Sequence, residues 1–96
     1  MNKFSIEKLP SDILRETAEK HRKLRKQKKL TQADLAKKTG VSLGSIKRFE
    51  TTGKISFESL LKLAQVLGRL NDFEKIFMSS NDLETVEKLF SDKTRK

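Results

Sequence analysis

TQADLAKKTGVSLGSIKRFE, residues 31–50, decides how this chain folds. Its first half reads as a helix to Thr39, and Gly40 then stops it. Two residues later Ser42 opens another helix, which carries a second glycine, Gly44, in its first turn. Thr31 and Asp34 form a capping-box-like pair at the first start. Gly40 fits a left-handed helix end. Leu35, Ala36 and Thr39 point inward from the first helix, and Ile46 and Phe49 from the second. Two helices joined by so short a turn are the arrangement that presents the second helix to the DNA major groove. Counting Gln32 as the first position, Ala36 is the fifth, where the helices cross and only a small side chain fits. Gly40 is the ninth, where the turn needs positive φ. Leu35, Val41, Ile46 and Phe49 form the apolar seam. A lone glycine would be a weak signal; small, glycine and apolar residues at these offsets between two capped helices are a strong one.

Outward from this segment, every strong pattern is helical, with a single proline and no convincing repeat. Pro10 and Ser11 signal a first helix running to about Lys28, with Ser11 as its N-cap. Leu14, Ala18, His21 and Leu24 form its inner side, which makes His21 a core or boundary residue. Ser56 caps a fourth helix holding Leu60, Leu61, Leu63, Ala64 and Leu67, which Gly68 ends. Asn71 with Glu74 starts a fifth, carrying Phe73, Ile76 and Phe77. Asn81 with Glu84 starts a sixth, carrying Leu83, Val86, Leu89 and Phe90. The expected fold is all-α, a compact bundle of five to six helices. Its expected divisions are an arm at 1–10, a DNA-binding domain at 11–80 and a C-terminal helix and tail at 81–96.

Charge is unevenly placed. Residues 1–54 hold 15 Lys/Arg and 6 Asp/Glu, while residues 55–96 hold 7 of each, so the net +9 lies wholly in the half that carries the motif. Such asymmetry points to a polyanionic partner, nucleic acid ahead of an anionic membrane. The chain has no cysteine, which excludes disulfides and thiolate metal sites. No apolar run approaches the ~20 residues of a membrane span, and the first ten residues lack a signal-peptide core. A cytoplasmic, nucleoid-associated protein is expected. One histidine and no inward carboxylate pair leave no catalytic or metal constellation, so neither an enzyme nor a cofactor is expected.

The segment LRKQKKLTQADLAKKTGVSLGSIKRFE resembles the helix-turn-helix of the phage-repressor and Cro-like (XRE) family, and the likeness runs from about Lys23 to Gly68. The resemblance implies a lambda-repressor-like domain that binds operator DNA, usually as a homodimer. It implies that Thr31 and Gln32 grip a phosphate, in keeping with the anion preference of a helix N-terminus. Ser42, Leu43, Gly44, Ser45, Lys47 and Arg48 become the groove-facing surface. Within it Lys47 and Arg48 reach guanine, Ser45 reaches several bases, and Leu43 meets a thymine methyl. Thr51, Thr52 and Lys54 touch the backbone again. Arg25 and Glu50 match an arginine–glutamate pair of the family, read here as structural. Gly44 departs from an ideal reader because it offers no side chain; it either lets backbone approach DNA or is tolerated near a helix start.

Phe73, Ile76, Phe77, Leu83, Val86 and Phe90 are surplus to a core already filled by four helices, and are expected to form a homodimer interface. The alternative is that they fold back on their own core. The stretch VSLGSIKRFETTGKISFESLLKLAQVLGRLNDFEKIF also looks like regulators that accompany HipA-type kinase toxins. Two functions therefore stay open. One is a sequence-specific operator-binding repressor; the other is an antitoxin module that neutralises a HipA-like kinase, with DNA binding secondary.

Overall fold

Pro10 starts the first helix in this computed structural model, which describes residues 7–81. Helix α1 spans Pro10–Gln27. Proline suits a first helical position because its φ is preset and its missing N–H would have no acceptor there. The N-cap therefore falls on Leu9, and Ser11, expected in that role, lies inside the helix. Leu9 has no capping side chain; the Asp12 carboxylate instead accepts its backbone N–H at 2.9 Å. Helices α2 (Gln32–Thr39), α3 (Leu43–Thr52) and α4 (Phe57–Val66) follow. Their N-caps are Thr31, Ser42 and Ser56, whose hydroxyls accept from Asp34, Ser45 and Ser59 N–H respectively. Such a cap contributes about 1 kcal/mol relative to alanine.

The core is small and sits where α1, α2, α3 and α4 converge. Phe49, Leu35, Ile46 and Leu63 are fully buried, with Ala18, Val41 and Leu67 around them. Burying each of the four large side chains contributes about 1.5–3 kcal/mol. Leu24, Leu30, Ala36, Ile55, Leu60 and Val66 pack on this cluster from its margins. Leu14 differs from the expected inner stripe: its side chain is exposed, and its backbone makes the contact, against Gly53 at the end of α3.

Four α-helices and one short 3₁₀ helix are found among the described residues, in place of five or six helices. The fifth helix does not form. Leu70–Phe73 makes a single 3₁₀ turn, and Phe77 adopts φ 65°, which an α-helix cannot pass through. A capping pair and three apolar residues do not sustain so short a helix unless a packing face completes it. Here Ile76 and Phe77 are exposed, and only Phe73 is half-buried, edge-to-face with Phe57 at 6.0 Å between ring centres. The sixth helix, with Leu83, Val86, Leu89 and Phe90, lies outside the described residues.

Candidate nucleic-acid interface

Helix α3 divides sharply by exposure. Ile46 and Phe49 are buried, while Leu43, Gly44, Ser45, Lys47, Arg48, Thr51 and Thr52 are exposed. The one carboxylate of this helix, Glu50, is turned away from that surface, its side chain only 4% exposed. The outer face of α3 is thus cationic and free of anions.

Glu50 anchors the other side. Arg25 donates to it through Nε (to Oε2) and Nη2 (to Oε1), each at 2.9 Å, and through Nη1 to the Leu30 carbonyl at 2.8 Å. Gln32 Nε2 also donates to Oε1 at 2.9 Å. This network ties the end of α1 and the start of α2 to one carboxylate in the last turn of α3, and through Arg25 it also holds the α1–α2 turn. Burial by itself raises the Glu50 pKa, but the bonds from Arg25 and Gln32 and the positive charge of Arg25 outweigh it and hold the group below its ordinary range. Arg25 is held more firmly protonated by the same bond.

His21 completes the cluster from α1. Its Nδ1 lies 2.8 Å from Glu50 Oε2, an ion-pair distance, yet neither ring nitrogen has a hydrogen-bond partner of good direction. The ring packs edge-on against Phe49 at 5.0 Å. Burial pushes its pKa down from the usual 6.5; Glu50 opposes this and Arg25 adds to it. The folded state therefore binds fewer protons than the unfolded one just below pH 6.5, so stability is full above that pH and declines as acid is added. Urea midpoints should fall between pH 7 and pH 5 in the wild type and fall less in His21→Leu. Parallel curves would mean that the histidine titrates freely.

The remaining site residues fall into two groups. Thr31 and Asp34 are engaged with each other: the threonine hydroxyl accepts the Asp34 N–H and the carboxylate accepts the Thr31 N–H, both at 2.9 Å. The backbone bond pulls the Asp34 pKa down. Ser42 donates its hydroxyl to Ser45 at 2.8 Å, and Thr51 and Thr52 donate theirs to the Lys47 and Arg48 carbonyls at 2.8 and 2.7 Å. A phosphate oxygen needs donors, so those hydroxyls must turn before they can serve one. Lys47, Arg48 and Lys54 are exposed and have no carboxylate within ion-pair distance among the described residues. Gly44 is exposed, and a Cβ there would meet nothing within 4 Å, so the chain's own packing does not require glycine. At the turn, Gly40 takes φ 80° and donates its N–H to the Ala36 carbonyl.

The sequence profile of the helix-turn-helix family matches residues 22–71. The chain belongs to that family. This helix-turn-helix protein is accordingly a DNA-binding regulator of the XRE type, and the match spans α2 and α3 together with their supports on α1 and α4. Comparison with curated proteins and with solved structures gives no match. Among the described residues no helix is long and apolar enough to cross a membrane. Sequence reasoning missed the ties from Gln32 and His21 to Glu50. The eighteen-residue step from Gln32 to Glu50 was visible, but a step of that length between two helices shows no contact until the packing angle is fixed.

Proposed function

We propose that the protein represses transcription by binding operator DNA as a homodimer, with α3 in the major groove. The observation that supports this most is the outer face of α3: Leu43, Gly44, Ser45, Lys47 and Arg48 exposed together, with no carboxylate among them. Lys47 and Arg48 have the donors to reach guanine edges, and Gly44 keeps the helix tip slim enough for close approach. Two copies are invoked because a single recognition helix covers too few base pairs to define an operator. Phe57, Leu70, Ile76 and Phe77 supply exposed apolar surface for that pairing. The antitoxin alternative is favoured by no contact described above, and the basic half carrying the motif suits phosphate better than a protein surface.

The test is titration with DNA from upstream of the protein's own gene, against a scrambled duplex, at ~50 and ~200 mM salt. Preference for the upstream duplex that survives the higher salt, with two chains per operator at saturation, is the expected result. Equal binding to both duplexes that collapses with salt would reduce the basic half to general attraction. One chain per duplex would remove the dimer. Arg48→Ala should cost about 1–3 kcal/mol of operator affinity and relax preference at one base pair. Uniform weakening on every sequence would make Arg48 a backbone contact.

A further inference from the structure

The turn between α1 and α2 is closed by a lysine where the backbone calls for glycine. Lys29 has φ 59°, with its N–H on the Lys26 carbonyl at 2.9 Å and the Leu30 N–H on the Arg25 carbonyl at 3.2 Å. That pair of bonds is the Schellman ending of a helix, whose left-handed residue is usually glycine or asparagine. Glycine fills the left-handed positions at the ends of α2, α3 and α4, namely Gly40, Gly53 and Gly68. Only α1 carries a charged, unbranched side chain there, which costs backbone energy that glycine would spare.

Electrostatics among the described residues gives no compensation. Lys26 and Arg25 already complement the negative end of α1. Lys29 is also two residues before Thr31, the N-cap of α2, where the helix dipole disfavours a cation. No carboxylate lies within ion-pair distance of Lys26, Lys28 or Lys29 among the described residues. Lys8, Arg15, Lys62 and Arg69 each have one, while Lys47, Arg48 and Lys54 beside the outer face of α3 share the lack. The turn itself is fixed, because Arg25 binds both the Leu30 carbonyl and Glu50 of α3. Lys29 thus projects from a fixed turn an ammonium with no carboxylate partner among the described residues. Its Cα is at most ~7.6 Å from that of Thr31, by the reach of two peptide units.

We propose that Lys29 is a DNA-backbone contact, binding a phosphate beside the start of α2. The proposal rests on the reading of α3 as a groove-binding helix, since the preceding helix then crosses the sugar-phosphate backbone. The phosphate supplies the anion that the described residues do not.

The test compares wild type, Lys29→Gly, Lys29→Arg and, as an equal charge loss on α4, Lys62→Gln, all titrated with one duplex from upstream of the gene and one scrambled duplex. Lys29→Gly should fold with a Tm no lower than wild type, because glycine is at ease in the turn. It should bind both duplexes about 5–10-fold more weakly near 0.1 M salt, and lower the slope of log K against log salt by about 0.9 per chain. Lys29→Arg should restore wild-type affinity, and Lys62→Gln should leave it nearly unchanged. A Lys29→Gly variant with wild-type affinity and slope overturns the proposal, as does a loss that Lys62→Gln matches. If wild type binds neither duplex, the groove-binding reading fails and this proposal falls with it.

Discussion

Gly53→Ala is expected to destabilise the fold by about 3 kcal/mol or more. Two independent costs combine at this position. Gly53 ends α3 in the left-handed region with φ 84°, where a residue with a Cβ costs about 1–2 kcal/mol. A Cβ there would also lie 2.8 Å from the Leu14 carbonyl carbon and oxygen, and 2.9 Å from its Cβ. Those atoms belong mostly to the backbone of α1, so no rotamer change relieves the overlap, and forcing extra volume into such a contact costs about 1–3 kcal/mol more. Gly68→Ala separates the two contributions, because its φ is 75° and a Cβ there would meet nothing within 4 Å. It should cost only about 1 kcal/mol, the backbone share alone. Urea unfolding of the three proteins reads the difference directly. Equal losses would show that α1 yields at Leu14 and that α1 and α3 are not held in close contact there.

That contact illustrates which features the sequence discloses. The helix-turn-helix was legible because its signals are local: Thr31, Ser42 and Ser56 each bond within three residues, and the turn at Gly40 is set by one dihedral. Ser11 misled because Pro10 also serves as a helix start, and the two signals compete one residue apart. The fifth helix misled for a different reason. Asn71 and Glu74 have the right spacing, but capping only adjusts a helix that some surface already holds, and Ile76 and Phe77 lie on none. The role of Gly53 was hidden because a glycine after a helix looks the same whether its neighbour is water or the carbonyl of Leu14. The spacing of Ile46 and Phe49 discloses which side of α3 is buried, while the reading of its outer face as groove-facing comes from the resemblance to the family. The network at Glu50 joins residues 18 to 29 positions away whose meeting is a property of packing.

Glu50→Ala is the substitution that tests that anchoring. The Glu50 and Arg25 side chains are 4% and 8% exposed, so removing the carboxylate strands a guanidinium in a dry setting. It also leaves the Gln32 amide without its acceptor and removes the carboxylate beside the His21 ring. Breaking a buried pair from one side typically costs about 3–5 kcal/mol. The lower end is expected here, because Arg25 keeps its bond to the Leu30 carbonyl and so small a domain lets water reach the vacancy. Against a total stability of about 5–14 kcal/mol for a chain of this size, that is a large share. The double change Arg25→Met with Glu50→Leu should recover much of the loss, since neither partner then remains charged and unpaired. The distinguishing readout is operator binding by the double variant. If the network serves only stability, a refolded core binds as wild type does. If it sets the angle of α3 against α2, as the bonds from Arg25 and Gln32 to Glu50 imply, affinity stays low although the urea midpoint has recovered. Full recovery of both would assign the pair to folding alone and leave the angle of α3 to Ile46, Phe49 and the close approach at Gly53.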